Sequence, residues 1–123
     1  MDIQNIKNQR YLEYKDQVNC DSAISTLELR ICANLNFKES DSILNNIYNS
    51  VLLEFEKLQL DSAREILINS QKVWIKYRDT HCEIYWTMYE GGTLQSIIFL
   101  NCLTDLTNNR QGELEKLLNL YKK

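Results

Sequence analysis

Side chains that could do chemistry recur at helical spacing in the middle of this chain. They are Gln71, Trp74, Arg78 and Cys82, at intervals of three or four residues. A helix would place such residues in a single stripe along one face. A stripe that served only packing would carry leucine or isoleucine instead. The amide, indole and guanidinium can share hydrogen bonds and cation–π contacts, and the thiol can form a disulfide.

The same segment lacks the arrangements that catalysis or metal binding require. His81 is the only histidine and directly precedes Cys82, but adjacent residues on a helix do not face each other. The cysteines include no CxxC pair, so a zinc site has little support. Asp79 and Glu83 lie near lysines, as on an ordinary helix surface, which does not indicate general acid–base work. The residues therefore predict no enzyme, no metal site and no cofactor.

The composition favours one helical domain. The chain has 123 residues, three glycines and no proline, so there are few points at which a helix must break. A net charge of −3 without a clustered Lys/Arg run argues against nucleic-acid binding. No apolar run approaches the ~20 residues that a membrane span needs.

Hydrophobic periodicity predicts three long helices. The first begins between residues 22 and 25 and ends near Leu58, with apolar residues at alternating intervals of three and four. The pair Asp61-Ser62 is predicted to cap the second helix, which stops at the glycine pair 91–92. Thr93 is predicted to cap the third helix.

The predicted fold is an all-α, antiparallel up-down-up bundle of three long helices, because short connections make successive helices antiparallel neighbours. Residues 1–19 are expected to form an N-terminal arm or a short extra helix, and residues 20–123 the helical domain. No repeat or linker divides the chain further.

In two antiparallel helices, residues that are equally far in sequence from the connecting turn lie side by side. Applied to both turns, this rule places polar residues of all three helices at the same height in the bundle. The estimate is loose by about one helical turn, roughly 5.4 Å. Asp41 falls near Arg78, and Cys102 falls near Cys82. The residues that converge are Asp41, Asn45, Gln71, Trp74, Arg78, Thr107 and Arg110.

Two interpretations of this polar cluster are open. In the first it is an internal brace, in which Asp41 pairs with Arg78 or Arg110 and Trp74 stacks on a guanidinium. In the second it is the floor of a binding site. A separate group of aromatic residues at the end of the second helix is the better candidate for an exposed contact surface: Tyr85, Trp86 and Tyr89.

The four cysteines, at positions 20, 32, 82 and 102, point to the compartment. An even number of widely spread cysteines in a small chain fits two structural disulfides and an oxidising compartment. The sequence starts Met1-Asp2-Ile3, without the features of a signal peptide. We therefore expect a mature form with an added initiator methionine, and the alternative is a cytosolic protein with four free thiols.

The motifs resemble those of a known family, the LprI-like lysozyme-inhibitor domains. Its signature is similar to residues 70–79, which read SQKVWIKYRD, followed by Cys82. Upstream the matching residues are Cys20, Glu28, Cys32, Asp41, Leu44, Asn45 and Tyr48. Downstream they are Gly91, Gly92, Cys102, Thr107, Arg110, Glu113 and Leu114. The resemblance spans about residues 20 to 118.

This resemblance implies a secreted or periplasmic helical domain with two disulfides and no enzyme activity. It implies a protein partner, either a cell-wall hydrolase such as lysozyme that is inhibited or a toxin that is neutralised by an immunity protein. The alternative function is a structural or stress-related periplasmic module without a lysozyme target. Because lysozyme is cationic, acidic residues are expected to join the aromatic group as contacts, either Glu83 and Glu90 near the glycine turn or acidic residues on the first helix.

The pairing of the four cysteines has three possible solutions. Under the resemblance we favour Cys20 with Cys82 and Cys32 with Cys102, which would tie the entry segment and the first helix to the other two. The pairing of Cys82 with Cys102 and of Cys20 with Cys32 agrees with the register estimate and stays open.

Overall fold

Three long helices make up the fold. The computed structural model describes residues 18–121, in which a 3₁₀ turn at Cys20–Ser22 precedes α1 (Thr26–Lys57), α2 (Asp61–Met88) and α3 (Gln95–Asn119). The predicted all-α fold of three long helices is confirmed. The expected N-terminal arm falls almost entirely on residues 1–17, outside the described residues, so the boundary at residue 19 stays a prediction.

Helix α1 begins with a capping box. The Ser25 hydroxyl accepts a hydrogen bond from the Glu28 backbone N–H at 3.1 Å, and the Glu28 carboxylate accepts one from the Ser25 N–H at 3.2 Å. Two N–H groups that lack partners within the helix are thereby satisfied. These hydrogen bonds, the one from the Ser25 side chain first, lower the pKa of Glu28. The predicted start of the first helix is confirmed.

Removing this cap gives a first test of the structure. Ser25→Ala is expected to lower the free energy of unfolding by about 1 kcal/mol, measured by urea denaturation at neutral pH. Because the folded-state pKa of Glu28 is lowered, its contribution is present above the ordinary carboxylate pKa and is lost as the pH falls through the lowered value. The difference between wild type and variant should therefore shrink in acid. Ser62→Ala, at a serine without a capping role, is the matched control and should leave stability nearly unchanged.

The predicted caps of the other two helices are wrong. The residue before α2 is Leu60, which makes no side-chain capping bond, and Asp61 is already the first helical residue. Its carboxylate still lies in the first turn, where the helix dipole favours negative charge. Helix α3 likewise follows Leu94, and Thr93 contributes its carbonyl, which accepts from Arg30 Nη2 at 2.9 Å.

Gly91 and the side chain of Gln95 stabilise the connection between α2 and α3. Gly91 adopts a φ of +79°, a conformation that L side chains rarely adopt. Gln95 Nε2 donates to the Trp86 carbonyl at 2.7 Å, which satisfies one of the carbonyls left open at the end of α2. The predicted stop of the second helix at the glycine pair is confirmed to within a few residues.

The helices enclose two apolar clusters with a polar layer between them. The cluster near the glycine turn consists of Ala33, Phe37, Cys82, Phe99, Leu100 and Leu103. The cluster at the opposite end consists of Leu44, Val51, Phe55, Leu67 and Leu114. Later residues of α2 contact earlier residues of α3: Gln71 is hydrogen-bonded to Arg110, and Cys82 is bonded to Cys102. This is the pattern that antiparallel neighbours produce.

Two disulfides close the fold, and the pairing that we favoured from the resemblance is wrong. The bonds join Cys20 to Cys32 and Cys82 to Cys102. Reflection about the glycine turn had already brought Cys102 to the level of Cys82, and a disulfide needs this proximity of the two Cα atoms, which is 5.7 Å here. Cys20 precedes α1 and bonds within its own neighbourhood, so it never reaches α2.

Candidate functional site

The guanidinium of Arg78 joins all three helices. The residue is only 4% exposed. From α2 its Nη1 donates to Asp41 Oδ1 of α1 at 3.3 Å and to Thr107 Oγ1 of α3 at 3.4 Å. Its Nε donates to Asp79 Oδ1 at 2.9 Å. Carboxylates from two helices thus compensate a nearly buried positive charge, which would otherwise be costly.

Trp74 lies between two guanidinium groups. The guanidinium carbon of Arg78 is 5.2 Å from its ring centroid and that of Arg110 is 5.8 Å away, within the range of cation–π attraction. Arg110 Nε donates to Gln71 Oε1 at 3.0 Å, and its Nη2 donates to Ser70 Oγ at 3.1 Å. The stripe that the sequence analysis singled out therefore carries a continuous network between α2 and α3.

The structure brings together all the predicted cluster residues except Asn45. That side chain is exposed, because Leu44 occupies the core-facing position on this turn of α1. Sequence reasoning missed two members on the rim, Asp79 and Glu113, each bonded to an arginine at about the ideal distance for a charge-assisted hydrogen bond. Glu113 could have been found from its position three residues after Arg110, where helix side chains are neighbours, whereas the position of Asp79 directly after Arg78 gave no such signal.

A second polar bridge between α1 and α3 was not anticipated. The hydroxyl of Ser40, which is 4% exposed, donates to Asn108 Oδ1. Gln111 Nε2 donates to the Ser40 carbonyl at 2.7 Å. A serine inside a helix gives little sign of such a role, but the spacing of Asn108 and Gln111 by three residues on α3 is a signal that could have found it.

We interpret this polar layer as an internal brace. The guanidiniums of Arg78 and Arg110 are engaged by carboxylates and amides of the chain itself. This arrangement can hold the three helices in register.

A groove of about 370 Å³ opens between α2 and α3 beside the buried disulfide. On its α2 side the groove is lined by His81 and Tyr85, which form an aromatic ladder with Tyr77 along that helix. The rings of Tyr77 and His81 are stacked, with their centroids 5.6 Å apart. The ring of Tyr85 meets that of His81 edge-on, with their centroids 6.1 Å apart. Opposite these rings, α3 contributes the carboxylate of Asp105. Its remaining lining residues are Ile98, Asn101, Cys102 and Leu106.

The predicted contact residues lie in different environments. Tyr85 lines the groove, and Tyr89 and Glu90 are exposed at the end of α2. Glu83 is half-buried and interacts within the chain. Trp86 packs edge-on against Phe99 at 5.4 Å and belongs to the apolar core near the glycine turn. Its part in a contact surface is therefore small.

Two features are absent from residues 18–121. No group of three or more histidine, cysteine or acidic side chains is placed to hold a metal ion in this range. None of its helices combines the length and the apolarity needed to cross a membrane.

The comparison with protein families matches residues 19–114 to the model of the family described as "Lysozyme inhibitor LprI". The chain belongs to the LprI family. The matched range contains both disulfides and every member of the polar cluster.

An uncharacterized protein of Rhizobium meliloti (strain 1021) is 30% identical over 109 residues, covering 81% of this chain and 78% of that protein. No solved structure matches this LprI family member.

Proposed function

We propose that this protein binds and inhibits a lysozyme-like cell-wall hydrolase outside the cytoplasm. The observation that carries the proposal is the family match over residues 19–114, which covers the three helices almost completely. Membership in a family fixes fold more firmly than target, so the contact surface must be argued from the chain itself.

The two disulfides support the compartment. Disulfides persist in the periplasm and outside the cell and are rare in the cytosol. Cys82 is completely buried and bonded to Cys102 across two helices. Within residues 18–121 there is no free cysteine. Oxidation is therefore part of the folded state, which fits a periplasmic or secreted protein.

The groove and the end of α2 suit a cationic partner. The groove is lined by the Asp105 carboxylate and by the rings of Tyr85 and His81, without a lysine or arginine. Tyrosine faces and a carboxylate together attract lysine and arginine side chains. Tyr89 and Glu90 extend this chemistry to the exposed end of α2. The net charge of −3 has the right sign for association with a basic enzyme.

The test is lysozyme turnover of cell walls in the presence of the purified, oxidised protein. We expect inhibition that weakens as salt concentration rises, because exposed charges are screened. The double variant Tyr85→Ala/Asp105→Asn should weaken inhibition at least tenfold, a loss of about 1.4 kcal/mol of binding free energy. Glu115→Gln, at an exposed acid of α3 outside the groove, is the control for net charge and should inhibit as the wild type does.

A lack of inhibition at micromolar excess would remove lysozyme as the target. Capture of the oxidised protein's partner from periplasm, and from the products of neighbouring genes, would then test the immunity-protein version of the proposal. The alternative function, a structural or stress-related envelope module, is favoured by the polar layer, whose arginines are satisfied within the chain. That alternative predicts neither inhibition nor a captured toxin.

A further inference from the structure

The only histidine of the chain, His81, lies in the groove between α2 and α3. We propose that this groove holds a lysine or arginine side chain of the hydrolase while His81 is neutral, and releases it when His81 is protonated. Inhibition is then weaker in mild acid than at neutral pH. The identity of this partner rests on the proposed function, and the experiments below distinguish the failure of one from the failure of the other.

The carboxylate of Asp105 lies across the groove from His81. Two contacts fix the register of α2 against α3, the disulfide between residues 82 and 102 and the hydrogen bond from Arg78 to Thr107. Interpolation between these contacts puts Asp105 within about two residues of the level of His81, ~3 Å along the helix axis. A cation that pairs with this carboxylate therefore lies beside the imidazole.

The charge of the imidazole decides whether such a cation is held. The neutral ring belongs to an aromatic wall, since it stacks on Tyr77 and is met edge-on by Tyr85, and aromatic faces attract lysine and arginine side chains. The protonated ring carries the same charge as the guest and repels it. It also pairs with Asp105 itself and so competes for the carboxylate. Both effects release the guest.

The other ionisable groups around His81 keep their charge in the same pH range. The imidazole is the side-chain group that ordinarily changes charge between pH 5 and 8, whereas phenols such as Tyr77 and Tyr85 and carboxylates such as Asp105 ordinarily ionise outside it. Arg78, one turn before His81, stays positive, and its guanidinium is engaged inside the bundle. Among the described residues, α1 contributes none to the lining of the groove.

The first experiment measures the dissociation constant of the complex with lysozyme at about pH 7.5 and about pH 5.5, at one ionic strength. We expect the oxidised wild type to bind at least fivefold more weakly in acid, because a like charge then adjoins the guest. His81→Gln, which stays neutral, should change less than twofold. His81→Lys, which stays charged, should bind weakly at both pH values. The hydrolase's own titration is common to all three proteins and cancels in the comparison.

The second experiment uses the wild type without the hydrolase. Acetyl-arginine amide is titrated into the protein, and the ring resonances of His81 and Tyr85 are followed by NMR, with the neutral acetyl-glutamine amide as the matched control. At about pH 7.5 only the arginine probe should shift these resonances, and at about pH 5.5 its dissociation constant should be at least fivefold higher. Asp105→Asn should remove the response, whereas Glu115→Gln, outside the groove, should retain it.

Equal binding of the arginine probe at the two pH values, or at neither, would overturn the role of His81. The same conclusion follows if His81→Gln keeps the pH dependence of the wild type towards lysozyme. If lysozyme is inhibited equally at both pH values, the proposed function stands and the release by His81 is wrong. If the probe binds as expected but lysozyme is not inhibited at either pH, the groove is a pH-dependent cation site and the proposed function fails.

Discussion

Replacing Cys82 and Cys102 together by alanine should lower the free energy of unfolding by about 3 kcal/mol, because the disulfide closes a 20-residue separation in the unfolded chain. In the folded state both residues lie on packed helices, and Cys82 is completely buried beside Phe99 and Leu103. The native helices therefore gain little freedom when the bond is lost, so the unfolded chain receives nearly all the gain in entropy. Urea denaturation of the oxidised wild type and the variant measures the difference.

The matched control is the pair Cys20→Ala/Cys32→Ala. This disulfide closes a separation of 12 residues, for which loop closure alone predicts a similar figure. However, Cys20 is exposed in a short 3₁₀ turn outside the bundle. When the bond is lost, residues before α1 gain freedom in the folded state as well, which offsets the gain of the unfolded state. We expect a loss below about 1 kcal/mol. Equal losses for the two pairs would contradict this account.

Arg78→Ala should also lower the free energy of unfolding by about 3 kcal/mol, and the melting temperature by roughly 10 °C. The substitution removes hydrogen bonds to Asp41, Asp79 and Thr107. It also removes the guanidinium that lies 5.2 Å from the ring centres of both Trp74 and Phe37, and it leaves a cavity where the three helices meet.

Thermal unfolding followed by circular dichroism measures this effect. Lys72→Ala, which removes an exposed cation from the same helix, is the control and should change stability by no more than about 0.5 kcal/mol. Arg78→Lys should fall between the two, because an ammonium keeps the charge but not the planar fork of donors. If Arg78→Ala retains wild-type stability but loses inhibition of lysozyme, the polar layer is a binding site and the brace interpretation is wrong.

The polar cluster shows how far sequence reasoning reaches in this fold. Residue numbers reflected about two short turns placed Asp41 near Arg78 and brought Thr107 to the same level, and Arg78 is hydrogen-bonded to both residues. The estimate succeeded because a helix converts residue number into distance at a constant rise. It failed for Asn45. The rise per residue gives the position along the helix axis, but the rotation of about 100° per residue decides whether the side chain points inward.

Helix caps and disulfide pairing are features that the sequence predicted wrongly. Asp61, Ser62 and Thr93 have the residue types of caps, but neither α2 nor α3 begins with a side-chain cap. Capping depends on the backbone conformation of the preceding residue, which the packing of the turn sets. The favoured disulfide pairing was wrong for a related reason: cysteine types fit all three connectivities, and only distances in the folded chain choose among them.

The sequence alone determined the helical class, the approximate helix bounds, the family and the residues that could bridge the helices, because periodicity and glycine placement act locally. The tertiary structure decided which cysteines bond, that Trp86 packs in the core, and that Ser40 bridges α1 to α3. It also decided that Ile66, Val73, Ile84 and Met88 of α2 stay exposed. Apolar residues occur on several sides of that helix, and two neighbouring helices can cover only part of its circumference. Which part stays open depends on where α1 and α3 pack, and no local pattern in α2 records that.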